Sequence, residues 1–300
     1  MGLFPWSRRR KPTRTATRWE PTYPRQSVVN DGRRHLQGVT YILPKDLPEA
    51  NRLDFQHHLL HAILKGNYVA PLGNQVTSIL DVATGTGRWA REMAQAFPSA
   101  QVIGLDMDVP HRGSYVVPPN YQFVQGNIFA GLPFSDKSFT FVHQRFLVLG
   151  LSAKQWPFVV GELVRVTRPG GYVELVEGGG TFYQIGDATG QLQQWWSVAS
   201  QANGIDVFLM ARLPQLLQQA GLHHIRHRTY HVPVGAWGGR VGEMLKQDIL
   251  ASLPGIRAFV CTHASISLEA FDATVAALPG EWERCRTVYE YYLAYGQREP

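Results

Sequence analysis

Two glycines and two aspartates form the segment in which residue types and spacing most clearly indicate chemistry. The run Ile79–Ala90 reads ILDVATGTGRWA, so that Asp81 precedes Gly85 by four residues and Gly87 by six. Glycines let a backbone pass close to a ligand, and the first turn of a following helix offers free N–H groups. Asp106 ends the next apolar run, 19 residues after Gly87. This spacing predicts a nucleoside site in which Asp106 accepts hydrogen bonds from both ribose hydroxyls.

Two classes of nucleoside cofactor fit this pattern when it is taken alone. Gly85-x-Gly87-x-x-Ala90 also matches the dinucleotide fingerprint, which makes an NAD-dependent oxidoreductase one alternative. Asp81 favours the other class, because a carboxylate repels a pyrophosphate but suits the ammonium and sulfonium end of S-adenosylmethionine. Asp106 fits both cofactors and does not decide between them.

Apolar runs at regular intervals predict the elements that position this site. From residue 76 onward, short β-branched runs alternate with helical patterns, which predicts a doubly wound α/β fold with a seven-stranded, mostly parallel sheet. The predicted strands are Val76–Val82, Gln101–Leu105, Tyr121–Val124, Phe139–His143, Tyr172–Val176, His224–Val232 and Val288–Tyr295. The predicted helices are Leu47–Lys65, Trp89–Phe97 and Trp156–Thr167, with a helical insertion over about 236–286 before the last strand.

The charge is concentrated at the N-terminus. Residues 1–34 contain nine Lys or Arg and two acids, a net charge of +7, so the remaining 266 residues carry −1 of the total of +6. Because nucleic-acid enzymes carry basic charge on the folded body, we expect no nucleic-acid partner. We expect a disordered basic tail over 1–34, an N-terminal lid-helix region over 35–70 and one α/β domain over 71–300.

Two further features bear on localisation. No apolar run approaches the roughly 20 residues of a membrane span, so we expect no membrane partner. Cys261 and Cys285 lack the spacing of a disulfide framework or a zinc site. We therefore expect a cytoplasmic protein without a metal; an organelle transit peptide in the basic tail is the alternative, and a homo-oligomer stays open.

The order of short motifs over about residues 76–235 resembles the class I S-adenosylmethionine-dependent methyltransferases. These motifs are Asp81-x-x-x-Gly85-x-Gly87, Gly104-Leu105-Asp106, Gln125-Gly126-Asn127, Leu132–Phe139 and Arg168-Pro169-Gly170-Gly171. The resemblance implies S-adenosyl-L-methionine as cofactor. The cofactor-binding candidates that it implies are Asp81, Ala83, Gly85 and Gly87 near the methionine end, Asp106 and Met107 at the ribose, Gly126, Asn127 and Ile128 at the adenine, and Gln144. The family commonly has Asp where this sequence has Asn127, so the adenine contact keeps its acceptor but loses charge assistance.

Two upstream motifs are similar to a narrower subgroup of that family, which contains the fungal regulator LaeA and bacterial natural-product methyltransferases. They are Tyr41-Ile42-Leu43-Pro44-x-Asp46 and Arg52-Leu53-Asp54-x-Gln56-His57. This similarity implies a helix over the cofactor, with Tyr41, Arg52 and Gln56 as contacts, and a secondary metabolite as the methyl acceptor. A cofactor-binding regulator of LaeA type and a macromolecule methyltransferase guided by the basic tail are the alternatives.

Strand ends supply the catalytic candidates. His143 ends the fourth predicted strand and Glu177 follows the fifth, where the ligand crevice of a parallel sheet lies. A neutral imidazole there could take the proton of an acceptor, although either residue could be purely structural. Asp54, His57 and His61 share a helix face, but a metal set from one helix is incomplete. The aromatic residues that could line an acceptor pocket are Phe182, Tyr183, Trp195, Trp196 and Trp237.

Overall fold

The computed structural model describes residues 27–38, 41–73, 75–110 and 116–300. These residues contain nine strands and seven α-helices. In chain order the elements are β1 (Ser27–Asn30), β2 (Arg33–Leu36), α1 (Leu47–Leu64), β3 (Ser78–Val82), α2 (Arg88–Ala96), β4 (Gln101–Asp106), β5 (Tyr121–Gln125), β6 (Phe139–Arg145), α3 (Trp156–Val166), β7 (Thr167–Tyr183), α4 (Asp187–Ala202), α5 (Leu213–Gln219), β8 (Leu222–Pro233), α6 (Gly239–Ala264), α7 (Leu268–Cys285) and β9 (Val288–Arg298).

The main sheet has seven strands in the order β5-β4-β3-β6-β7-β9-β8. The pairs from β5 to β7 are parallel, whereas β9 runs antiparallel to both β7 and β8. The predicted seven-stranded, mostly parallel sheet is therefore confirmed. Dinucleotide-binding folds have the strand order 3-2-1-4-5-6. In this sheet the antiparallel strand β9 lies between β7 and the edge strand β8, which counts against an NAD-dependent oxidoreductase.

Alternating side chains of the central strands divide the core between the two faces of the sheet. On one face, Ile79 of β3 and Phe141 of β6 pack against Trp89 and Met93 of α2. On the other face, Leu80 and its neighbours belong to the larger apolar cluster that also includes α3. All five residues of β3 are buried, as the continuous apolar run of a doubly covered strand predicts.

Strand β7 is much longer than the predicted Tyr172–Val176, because β9 continues to pair with it after β6 has ended. The pairing with β6 stops at Arg145 and Val176, but the pairing with β9 continues to Tyr183. The extension carries β7 and β9 beyond the carboxyl end of β6, where both strands contribute side chains to the functional site.

The N-terminal end of the described chain is a β-hairpin of β1 and β2. The turn between them is Asp31-Gly32, with φ angles of 48° and 71°, and Asp-Gly is a strong hairpin signal. The prediction of a disordered tail over 1–34 therefore does not hold for residues 27–34, and residues 1–26 lie outside the described residues. Arg33 pairs with Asp46 at 2.6 Å, which ties the hairpin to the start of α1.

Helix α1 begins as its sequence predicts. The Asp46 side chain accepts a hydrogen bond from the Glu49 N–H at 3.0 Å, and Pro48 lies in the first turn. Helices α6 and α7 lie between β8 and β9. Among the described residues, no helix is both long and apolar enough to cross a bilayer.

Candidate active site

A cavity of about 250 Å³ lies at the carboxyl ends of the parallel strands. Its floor comes from the turns after β3, β4 and β6 and from the extension of β7. Helices α1, α4 and α6 and strand β9 form its other walls. The floor residues are Ala83–Thr86, Asp106, Met107, Arg145–Leu149, Gly178 and Gly180. The position is the one at which open α/β sheets bind ligands.

The two motif glycines serve different purposes in the turn after β3. Gly85 has a φ of 57° and lines the cavity, and a Cβ atom there would meet only Leu53, at 3.7 Å. Space above Gly85 is therefore open to a ligand. Gly87 does not line the cavity; a Cβ atom there would lie 2.7 Å from the Tyr121 hydroxyl. Gly87 also has a φ of 73°, so both the backbone conformation and the close approach of β5 favour glycine there.

Asp106 supports the glycine turn from below and faces the cavity. Its Oδ2 accepts the Gly85 N–H at 2.8 Å, and its Oδ1 accepts the Asp108 N–H at 3.1 Å. Lys45 Nζ lies 3.5 Å from Oδ1. A carboxylate has about four acceptor sites, so Asp106 retains capacity for a ligand hydroxyl. Its neighbour Met107 also lines the cavity.

Asp81 and His143 form a buried pair that lies outside the cavity. They are register partners on parallel strands β3 and β6, so both side chains point to the α2 face. His143 Nδ1 lies 3.0 Å from Asp81 Oδ1, and the His143 ring stacks on Trp89 at 3.8 Å. Asp81 Oδ2 accepts the Thr84 hydroxyl at 2.6 Å. Burial lowers the pKa of His143, although Asp81 opposes that shift. The structure therefore gives both residues a role in holding the glycine turn, in place of the predicted ligand contact and catalysis.

Glu177 and Gln144, the other strand-end candidates, are also fully buried beneath the cavity floor. Glu177 accepts hydrogen bonds from the Leu147 N–H at 2.9 Å, the Val148 N–H at 3.2 Å and the Gln144 amide. Burial raises the pKa of Glu177 to about 7. Neither Glu177 nor Gln144 lines the cavity. Glu177 thus fixes the loop after β6 and does not face an acceptor, contrary to its predicted catalytic role.

The predicted adenine contacts lie beside the cavity and not in its lining. The Asn127 side-chain oxygen accepts the Phe129 N–H at 2.9 Å, so it caps a short 3₁₀ turn. The Gly126 N–H donates to the Asp106 carbonyl at 2.9 Å, and Ile128 belongs to the apolar core. The amide oxygen that was expected to accept from adenine is already engaged with the backbone.

Helix α1 closes the cavity through a buried ion-pair cluster with α6. Arg52 donates from Nε and Nη2 to both oxygens of Glu49, at 2.9 Å and 2.7 Å, and from Nη1 to Asp248 at 2.8 Å. Gln56 donates to the other Asp248 oxygen at 2.9 Å. The predicted contacts Tyr41, Arg52 and Gln56 all line the cavity, together with Asp248. Sequence reasoning missed Asp248, which lies 196 residues from Arg52.

Arg145 is a second residue that sequence reasoning missed. It ends β6 and lines the cavity, and burial lowers the pKa of its guanidinium. Its side chain forms no hydrogen bond with any other residue that the structure describes. Three carboxylates, Asp81, Glu92 and Asp54, influence it electrostatically. Each is hydrogen-bonded to another residue: Asp81 to Thr84, Glu92 to Arg88 at 2.8 Å and Asp54 to the Thr86 hydroxyl at 2.6 Å. Arg145 therefore has negative charge nearby but no hydrogen-bonded anionic partner among the described residues.

Aromatic side chains form part of the cavity lining. Of the five aromatic candidates, Phe182 and Trp196 line the cavity, whereas Tyr183, Trp195 and Trp237 do not. Tyr289 and Tyr291 of β9 line it as well. The sequence placed a strand there but gave no sign of which of its alternating tyrosines would face inward.

The histidine-rich face of α1 packs on the glycine turn, where His57 and Asp54 are engaged with residues of that turn and of α2. His57 Nε2 lies 2.8 Å from Glu92, and burial lowers the pKa of His57 to about 4. Asp54 is engaged with Thr86, and His61 is exposed to solvent. The three residues therefore do not converge on a common point as metal ligands would.

Comparisons with known proteins agree with this architecture. Residues 79–171 match the family model described as a methyltransferase domain. The chain is 31% identical to methyltransferase pytC of Aspergillus terreus over 69% of this chain and 65% of that protein. It is 28% identical to N-methyltransferase tcpN of Claviceps purpurea over 83% of this chain and 94% of that protein.

A regulatory protein is also among the relatives. The chain is 29% identical to the secondary metabolism regulator LAE1 of Cochliobolus heterostrophus, over 66% of this chain and 67% of that protein. The match covers 65% of the length of pytC, which is less than two thirds, and 67% of the length of this regulator. Together with the sheet order, these matches identify residues 79–171 as a class I S-adenosylmethionine-dependent methyltransferase domain, in a chain that is similar to LaeA-like proteins.

Proposed function

We propose that this protein transfers the methyl group of S-adenosylmethionine to a small, largely apolar molecule. One observation carries the proposal: one cavity is lined both by Gly85 and Asp106 and by a group of apolar side chains, which we call the chamber. These side chains are Leu147, Val148, Leu149, Phe182, Leu192, Trp196, Val207, Ile249, Leu253 and Ile256. Apolar walls with a few polar groups are typical of sites for small organic ligands.

The cofactor end of the cavity has the groups that S-adenosylmethionine requires. Gly85 leaves room for close approach of the ligand, and Asp106 has free acceptor capacity for a ribose hydroxyl. When bound, the cofactor supplies a methyl group on a positively charged sulfur, and its transfer to a nucleophile leaves a neutral thioether and releases the nucleophile's proton. The chain's own contribution is to orient the acceptor and to exclude water, which can supply much of the rate enhancement.

We assign the methionine carboxylate of the cofactor to Arg145. The guanidinium lines the same cavity as Gly85 and Thr86 and has no hydrogen-bonded partner among the described residues. A ligand carboxylate would satisfy it with charge-assisted hydrogen bonds, which Arg can form in pairs. Asp81, the sequence-based candidate for this end of the cofactor, acts instead through Thr84 in the same turn.

The names of the relatives favour an acceptor from secondary metabolism. The Claviceps protein is named an N-methyltransferase and matches over nearly its whole length. The similarity to a secondary metabolism regulator supports a second candidate function. In that case the protein would bind the cofactor and act as a regulator without methylating a small molecule. The apolar side chains of the chamber favour the enzyme, because an apolar acceptor would cover them.

Calorimetric titration of the full chain tests the proposal. We expect S-adenosylmethionine to bind with micromolar affinity and NAD not to bind. Asp106→Asn should weaken S-adenosylmethionine binding, while Asp136→Asn, a change at an exposed carboxylate that pairs with Arg165, should leave it unchanged. Binding of NAD, or of neither ligand, would overturn the proposal. Cofactor binding without turnover on any of a broad set of apolar metabolites would favour the regulator.

A further inference from the structure

Asp248 is a buried carboxylate next in sequence to Ile249, which belongs to the chamber wall. Asp248 lies in α6, is 3% exposed and lines the cavity. One oxygen accepts from Arg52 at 2.8 Å and the other from Gln56 at 2.9 Å. A carboxylate can accept about four hydrogen bonds, so each oxygen retains a lone pair for a ligand.

The charges around Asp248 leave it only partly neutralised. Arg52 gives two of its hydrogen bonds to Glu49 and one to Asp248. One guanidinium therefore serves two buried carboxylates, and the cluster of these three residues has a formal charge of −1. A negative charge that is held away from water favours a cationic ligand group.

Aromatic side chains line the same chamber as this carboxylate. Tyr289, Tyr291 and Trp196 all line the cavity. The Tyr289 oxygen accepts the Gly180 N–H at 3.1 Å, which leaves its own proton to donate. Tyr291 is 3% exposed, and its hydroxyl has no hydrogen-bonded partner among the described residues. Aromatic faces with a buried carboxylate form a site for an organic cation.

From this arrangement we propose that the methyl acceptor is an amine on an apolar body, bound with its nitrogen at Asp248, and that Asp248 accepts the proton which the amine must lose. This inference rests on the proposed function and specifies its substrate class. The Asp248 side chain would then touch the reacting nitrogen, whereas Arg52 and Gln56 would position that carboxylate.

The proton balance of this step is complete within the chamber. The amine enters as an ammonium ion, and one N–H proton moves to an Asp248 oxygen. The freed nitrogen lone pair forms the new bond to carbon as the carbon–sulfur bond breaks, and the bonding pair stays on sulfur. The product leaves as a methylated ammonium ion, and Asp248 later gives its proton to solvent. Burial raises the pKa of Asp248, with Arg52 opposing, which makes the carboxylate a better proton acceptor.

Binding of matched probes tests this inference without a known substrate. The protein, saturated with S-adenosylhomocysteine, is titrated with phenethylamine and tryptamine and with their alcohol analogues, 2-phenylethanol and tryptophol. We expect the wild-type protein to bind at least one amine about tenfold more tightly than its alcohol. Asp248→Asn should remove that preference. Glu243→Gln removes a carboxylate from the same helix, at a half-exposed residue that pairs with Lys246, and should retain it.

Three results would overturn the inference. One is equal affinity of the wild-type protein for amines and alcohols, which needs no variant and so does not depend on whether Asp248→Asn folds. Another is an amine preference that persists in Asp248→Asn. The third is binding of none of the four probes by a protein that does bind S-adenosylhomocysteine. Failure to bind S-adenosylhomocysteine would instead contradict the proposed function itself.

Discussion

Replacement of Arg145 tests whether this residue binds the cofactor carboxylate or supports the shape of the cavity. Arg145→Met keeps a long apolar stem and removes the guanidinium. A charge-assisted hydrogen bond contributes about 1.5–3 kcal/mol. Two parallel hydrogen bonds from Arg145 to one partly solvated carboxylate should therefore contribute about 3 kcal/mol to the binding free energy. Because 1.4 kcal/mol corresponds to a tenfold change in affinity, we expect about a 100-fold weaker affinity for S-adenosylhomocysteine.

The assay compares two ligands that differ at the amino-acid end. 5′-Methylthioadenosine has the same adenosine but no carboxylate, so its calorimetric affinity should change by less than about threefold in Arg145→Met, since the lost hydrogen bonds are to the carboxylate. The unliganded variant should lose no more than about 1 kcal/mol of stability, because Arg145 is only partly buried and forms no hydrogen bond to another described residue. Arg212→Met, at an exposed arginine that pairs with Asp206, is the control.

The reasoning has two clear points of failure. Equal weakening of both ligands would mean that Arg145 supports the shape of the cavity and does not bind the carboxylate. If the affinity for S-adenosylhomocysteine is unchanged and acidic acceptors bind more weakly, Arg145 binds an anionic group of the acceptor and not the carboxylate of the cofactor.

Three further predictions concern stability and the glycine turn. Arg52→Met leaves Glu49 and Asp248 as buried, unpaired carboxylates, so urea unfolding should show a loss of about 3–5 kcal/mol; a loss below about 1 kcal/mol would contradict the ion-pair cluster. Burial raises the pKa of Glu174 to about 7, so the folded protein binds a proton that the unfolded chain has released, and the free energy of unfolding should fall as pH rises through about 4.5 to 7. Glu174→Gln should remove that part of the slope in urea unfolding from pH 5 to 8, and an unchanged slope would show that Glu174 does not titrate there. Ala83 has a φ of 58°, which costs a non-glycine residue about 1–2 kcal/mol; Ala83→Gly should therefore not lower the melting temperature, and a clear drop would mean that the methyl group is needed for packing.

Local sequence patterns were sufficient to predict the sheet and the glycine turn. Continuous apolar runs placed β3 and β6, and the residues between Asp81 and Gly87 identified the turn above which the cavity opens. These features depend on neighbours in sequence, so periodicity and glycine spacing can detect them. The hairpin at Asp31-Gly32 had an equally local signal, which the excess of basic residues obscured.

The side chains that line the cavity were harder to predict, because their position depends on how neighbouring strands align with one another. His143 and Arg145 are two residues apart on β6 and share a face, yet only Arg145 extends past the end of β3 to the cavity. His143 pairs with Asp81, within the length of β3, and Trp89 of α2 covers its ring. Asp248 gave no signal, because its partner Arg52 lies in a helix at the other end of the chain. The end of a strand can be predicted from sequence. Whether a side chain near that end lines the cavity or is buried within the sheet cannot.

The cavity is built partly by residues of the methyltransferase match and partly by helices outside it, and this division has an evolutionary consequence. The family match over 79–171 includes Gly85, Asp106 and Arg145 but neither α1 nor α6. Mutations in α6 can therefore reshape the chamber without any change at Gly85, Asp106 or Arg145. A lineage that acquires new acceptors in this way need not first lose its methyl donor, so substrate range can diversify by small steps among paralogues. The ion pair from Arg52 to Asp248 limits that freedom, since α1 and α6 must change together.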